Sequence, residues 1–132
     1  MKEKEDSEQS ESKIQQDCFV WFWNEFPLLR RTLFHIPNGG PRGRVAGNRM
    51  KSIGVVAGVP DFVFVHDGHV HFFELKKPGE TVSGKQKEIH FIFAKQNCPV
   101  TVIRSLDEFK IAITDIIIMS QSIRRINERI TK

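Results

Sequence analysis

Apolar positions change their period along this chain, and each change marks an element. Ile14, Cys18, Trp21, Phe22 and Phe26 recur at helical spacing in a segment that opens near Glu11 and is stopped by Pro27. Residues 62–66 and 69–73 are rich in β-branched and aromatic side chains, and Asp67-Gly68 between them is a strong hairpin signal. If Asp67 and Gly68 are the central pair of a type I′ turn, His66 stands opposite His69. The ladder then sets Val65 against Val70, Val63 against Phe72 and Asp61 against Glu74.

The remaining pattern is coarser. Residues 32–36 predict a short strand before the turn-rich Pro37-Asn38-Gly39-Gly40-Pro41, and residues 49–56 read as a short helix or an irregular approach to the hairpin. Ser83 starts a helix carrying Ile89, Phe93 and Ala94, residues 99–103 form an apolar strand, and Ser105 begins a helix with Leu106, Phe109, Ile113, Ile116 and Ile117 on one side. A last helical segment carries Ile123, Ile126 and Ile130, a narrow stripe suited to the core or to a second subunit. The expected fold is α/β, a mixed central sheet flanked by helices in a single domain.

Composition narrows this picture. The 132 residues suffice for one core, with 1–10 expected as a disordered lead, 11–119 as the folded domain and 120–132 as a C-terminal helical extension. Cys18 and Cys98, far apart and without a CxxC, are expected to be unpaired thiols of a cytoplasmic protein. The longest apolar run, Ile116-Ile117-Ile118-Met119, is far short of the ~20 residues of a membrane span, so no membrane partner is expected. Net charge is +4, yet the first eleven residues hold five acids against two lysines, which masks a basic body. Arg42, Arg44, Arg49 and Lys51 lie in an acid-free stretch, either a site for a polyanion such as nucleic acid or a solvated basic loop.

Side chains alternate faces along a strand, so Asp61, Glu74 and Lys76 share one side of the hairpin. Two facing carboxylates among apolar neighbours call for a counterion, and a divalent cation would supply it. The alternative is that Glu74 pairs with Lys76 or Lys77 at a frayed end while Asp61 caps the turn after Pro60. Glu11 falls on or beside the buried stripe of the first helix, either as a third ligand or as a first-turn acid favoured by the helix dipole. Gln86 completes a Ser83-x-x-Gln86 capping box, or lies near Lys76 to position a phosphate or water. His69-x-His71 is a weak zinc motif, because both rings point away from Asp61 and Glu74.

Gly58-Val59-Pro60-Asp61 followed by Glu74-Leu75-Lys76 resembles the signature of the PD-(D/E)XK nuclease superfamily. Glu11-Ser12-Lys13-Ile14-Gln15, Asn38-Gly39-Gly40, Gly54 and Ser83-x-x-Gln86, in that order around it, are similar to the VRR-NUC family, with the resemblance running over residues 11–109. The resemblance implies a restriction-endonuclease-like fold and Mg²⁺-dependent hydrolysis of DNA phosphodiesters, with Mn²⁺ able to substitute. It makes Glu11, Asp61 and Glu74 the metal carboxylates, Lys76 the catalytic lysine and Gln86 its helix partner. Asn38, Arg42, Arg44, Arg49, Lys51, Lys77 and Lys85 are the expected DNA contacts. Compact relatives of phages and bacteria imply a homodimer that resolves Holliday junctions or other branched DNA; a flap nuclease and a catalytically silent binding module are the alternatives.

Overall fold

The structure is a computed structural model that describes residues 10–37 and 44–131, with 44–46 described as backbone only. Helix α1 (Glu11–Glu25) leads through a 3-10 turn (Pro27–Leu29) to strand β1 (Leu33–His35). Helix α2 (Arg44–Ser52), the hairpin β2 (Phe62–His66) and β3 (His69–Leu75), helix α3 (Gly84–Lys95), strand β4 (Val100–Ile103) and helix α4 (Leu106–Ile130) follow. The four strands lie in the order β1-β2-β3-β4, the first three antiparallel and β4 parallel to β3. A parallel neighbour requires a crossover, and α3 supplies it. This mixed sheet flanked by helices is the fold expected of the sequence.

The hairpin adopts the expected register, with His66 opposite His69 and Val63 opposite Phe72. Asp67 and Gly68 have φ of 51° and 77°, the left-handed pair that a type I′ turn demands. One sheet face buries Phe62, Phe64, Phe73 and Leu75 against Ile14, Cys18 and Phe22 of α1 and Phe109 and Ile113 of α4. On the other face Phe72 meets Phe93 of α3, ring centroids 4.6 Å apart. The alternation of the hairpin therefore assigns each face its own helices.

Two elements differ from their expected bounds. Helix α2 begins at Arg44 and ends at Ser52, earlier than residues 49–56, because Gly54 turns the chain left-handed at φ +100° and its N–H closes on Lys51 O at 3.2 Å. The segment expected to follow a separate fourth helix is instead continuous with α4, as no Gly or Pro interrupts residues 106–130. Residues 120–130 are thus its last turns, and they expose Ile123, Ile126 and Ile130. No helix among the described residues is long and apolar enough to cross a membrane.

Candidate active site

The open end of the hairpin is built by neighbours that leave its side chains little freedom. The last β2–β3 pair is Phe62 with Phe73, and Asp61 lies one residue beyond it, opposite Glu74. Its carboxylate Oδ2 accepts the Leu75 N–H at 2.7 Å, closing the ladder with a side chain where the backbone pairing stops. On the far side of β3, Lys76 N–H donates to Ile103 O at 3.0 Å and Glu74 stands beside Val102 of β4. Glu74 and Lys76 are consequently buried, at 1 % and 6 % exposure.

The loop before Asp61 is held just as closely. Gly58 has φ +88°, and a Cβ built there would come within 2.8 Å of the Lys85 backbone in the first turn of α3. Only glycine allows both that backbone angle and that approach. The turn of α3 is itself fixed by a complete capping box, in which Ser83 Oγ accepts Gln86 N–H at 3.2 Å and Gln86 Oε1 accepts Ser83 N–H at 2.9 Å. Gln86 is therefore engaged as a cap, and no hydrogen bond joins it to Asp61, Glu74 or Lys76.

Glu80 enters this cluster without having been singled out in the sequence. Its Oε1 accepts from Lys76 Nζ at 3.2 Å, and its side chain also hydrogen-bonds Glu11 at the start of α1. The Arg104 guanidinium clamps the intervening turn by donating to Lys77 O at 2.9 Å and Glu80 O at 2.6 Å. His35 Nδ1 lies 2.8 Å from Asp61 O. His90, one helical turn after Gln86, has its Nε2 buried without a hydrogen bond. The spacing of Gln86 and His90 was the available signal for the histidine; nothing local announces Glu80 or Arg104.

Too much negative charge is collected here for one ammonium. Burial, then repulsion from Asp61, pushes the Glu74 carboxyl up to about 8. Burial, then the hydrogen bond with Glu80 and the charge of Asp61, pushes Glu11 up to about 7. Asp61 is raised by burial, which outweighs the Leu75 N–H and the nearby His35 and Lys76. Glu80 moves the other way, chiefly through its hydrogen bond with Lys76. Of these two neighbouring acids, the one against the ammonium is shifted down and Glu11 is shifted up.

These donors suit a hard divalent cation in kind, since Mg²⁺ takes carboxylate oxygens and water. Glu74 Oε2 is buried and makes no hydrogen bond, which costs free energy unless a cation or proton satisfies it. The carboxylates converge without forming a finished coordination sphere: among the described residues no three His, Cys, Asp or Glu side chains stand as metal ligands to one point. The His69 and His71 rings lie 6.5 Å apart on β3, where the strand leaves the Asp67-Gly68 turn.

The expected nucleic-acid contacts are spread more widely. Arg49 and Lys51 are exposed on α2, and Lys77 and Lys85 are exposed beside the cluster. Arg44 begins α2, with its side chain outside the described residues, and Asn38 and Arg42 lie outside them altogether.

No family model and no curated protein matches the chain. A solved structure described as a VRR_NUC domain protein is similar over 81 % of this chain and 87 % of that one, at 20 % identity and a TM-score of 0.64. At that identity the likeness is one of architecture, and the chain shares the fold of that structure.

Proposed function

We propose that this chain is a VRR-NUC nuclease of the PD-(D/E)XK superfamily, which hydrolyses DNA phosphodiesters with Mg²⁺ or Mn²⁺. The observation that carries the reading is the buried, unpartnered Glu74 Oε2 beside Asp61 and Lys76, in a chain whose overall fold is similar to that of a VRR_NUC domain protein. Asp61, Glu74 and Glu11 would hold the cation. When bound, it would neutralise charge on the phosphate and lower the pKa of a coordinated water.

The chain's own groups do the rest. The Leu75 N–H orients Asp61 through one oxygen and leaves the other for the site. Lys76, drawn to the strand end by Glu80, offers its ammonium to the charge that develops on the phosphate, where a buried cation counts for more than an exposed one. Gln86 acts through α3, whose capped first turn supports the Gly58 loop and with it Asp61. Exposed Arg49, Lys51, Lys77 and Lys85 would draw the DNA backbone to the site.

The proposed substrate is branched DNA in the cytoplasm of a bacterial or phage-infected cell, and the acting form a homodimer that cuts two strands of a Holliday junction. Exposed Met119, Ile123, Ile126 and Ile130 on α4 support a second copy there. The test is a cleavage panel of four-way junction, flap, duplex and single strand in Mg²⁺, with solution mass measured alongside. Paired nicks by a dimer support resolution, while a monomer that cuts flaps alone redirects the reading to a flap nuclease. Cleavage unchanged in Asp61→Ala and Lys76→Ala defeats the site, and binding without cleavage in Mg²⁺ and Mn²⁺ defeats the enzyme.

A further inference from the structure

A row of rings runs from the surface to the backbone of Asp61. Trp23 and Phe19 of α1 have centroids 6.1 Å apart, Phe19 stacks on Phe62 at 6.5 Å, and Phe62 meets the edge of His35 at 6.3 Å. His35 in turn contacts Asp61 O, and Phe62 follows Asp61 directly in the chain. These rings and Phe34 line an open cavity of about 620 Å³ between α1 and the edge strand β1. Trp23 and Phe34 remain 38 % and 45 % exposed. A concentrated aromatic surface left in water calls for an occupant.

The polar part of the lining is as selective as the rings. Ser12, next to Glu11, lines the cavity with Gln15, Gln16, Arg31 and His35, and among the described residues its lining contains no acid. Carboxamides donate and accept at once, the combination that matches the edge of a nucleobase. Arg30 stacks on the Trp23 indole at 4.8 Å and donates to Trp23 O at 3.0 Å, holding that ring and placing a second guanidinium near the mouth. A volume of this size falls in the roughly 300–1,000 Å³ range of small-molecule pockets.

We propose that this cavity is a base-binding subsite, which receives one unpaired nucleobase of the strand whose backbone passes the Asp61–Glu74–Lys76 cluster. The neighbours of the lining point to the occupant: Ser12 follows Glu11 in the chain and His35 contacts the Asp61 carbonyl oxygen, so a base held on the ring row has its backbone near that end of the hairpin. The base stacks on Trp23 or Phe34 and offers its edge to Gln15 or Gln16, while the arginines meet flanking phosphate. Such a subsite favours DNA with unpaired or easily unstacked nucleotides, because extruding a base costs least there. The proposal rests on the nuclease reading for the strand it serves, but base binding is measurable without cleavage.

The test measures binding of a short single-stranded DNA in Ca²⁺, and of the same DNA with an abasic nucleotide at each position in turn. Base stacking on an aromatic side chain contributes about 1–3 kcal/mol. Trp23→Ala and Phe34→Ala should therefore each weaken binding about five- to 150-fold, with Trp23→Phe keeping most of it and the thermal melts confirming that the variants fold. One abasic position should cost the wild type a similar factor and the affected variant nothing more. Abasic losses absent at every position, or fully additive with Trp23→Ala and Phe34→Ala, overturn the subsite, as does failure to bind single-stranded DNA. Loss of a dimer in Phe34→Ala with DNA affinity unchanged reassigns the cavity to a subunit contact and also overturns it. Failure of cleavage alone, with these binding differences intact, strikes the nuclease reading and leaves the subsite standing.

Discussion

The two ends of the β2–β3 hairpin both place an aspartate beside a cation, and their carboxyls titrate in opposite directions. At the turn, Asp67 pairs with Arg124 of α4 in solvent, and that hydrogen bond lowers its pKa. At the open end, Asp61 lies with Glu74 and Glu11 near one ammonium, and burial raises all three. One hairpin register built both ends, so the strand pairing is not the cause. The difference is the cover: β4, α3 and the start of α1 close over the open end, while the turn projects into water. An exposed ion pair is held in high dielectric and adds little, whereas buried acids without enough partners store a demand for protons or cations.

The sharpest break of this comparison is Lys76→Ala against Arg124→Ala. Losing a charge-stabilising donor inside an active site typically lowers kcat by ~10²–10³. Lys76→Ala should fall in that range on any DNA the wild type cuts, measured at saturating substrate and Mg²⁺. Equal activity in the two variants would make Lys76 as peripheral as Arg124.

A second contrast is pH dependence without divalent ions. Glu74 titrates near 8 in the folded protein and near 4.5 in an ordinary carboxyl, and Glu11 near 7 against 4.5. Between those limits the folded form keeps protons on these two carboxyls that the unfolded form has released, so their contribution to stability falls as pH rises from about 4.5 to 8. The stabilising contribution is complete below the unfolded value and lost through the folded one. Melts in EDTA across that range should show the decline, Glu74→Gln should flatten it, and Mg²⁺ should protect most at the alkaline end, where the ligands are ionised. An unchanged slope in Glu74→Gln would remove Glu74 as its source.

Backbone strain gives a smaller effect. Gly58→Ala places a Cβ 2.8 Å from the Lys85 carbonyl and forces a side chain onto φ +88°, which should cost about 1–3 kcal/mol in denaturant unfolding. Gly68→Ala shares the positive φ of 77° but meets no atom within 4 Å, so it should cost less. Equal losses would show that the α3 approach is looser than the structure has it. Smallest of all, Arg124→Ala should leave the melting temperature essentially unmoved, because the Arg124 side chain lies mostly in solvent. A clear drop there would mean that the pair ties α4 to the hairpin.

The parts legible in the sequence were those with a local cause. Asp67-Gly68 admits a left-handed pair of residues, and that turn alone sets every opposition down to Asp61 and Glu74. Ser83-x-x-Gln86 announced its cap because both bonds lie within four residues. Gln86 shows the limit of such signals, since one pattern fitted a cap and a site contact, and only the three-dimensional structure shows both cap bonds made and none to Asp61, Glu74 or Lys76. Helix α2 was missed at its start because its acid-free, glycine-containing stretch has no apolar period to read. Glu80 and Arg104 gave no sign, because the first meets Glu11 across nearly seventy residues of chain and the second clamps a turn from the end of β4.

By itself, then, the amino-acid order determined the mixed α/β elements, the hairpin register and which face carries Asp61, Glu74 and Lys76, since periodicity and turn chemistry act over a few residues. Tertiary structure decided how deeply those groups are buried, that Glu11 and Glu80 share a hydrogen bond, and that an aromatic row ends beside Asp61. These depend on how α1, α3 and β4 pack around one strand end, and packing is set by the whole core at once.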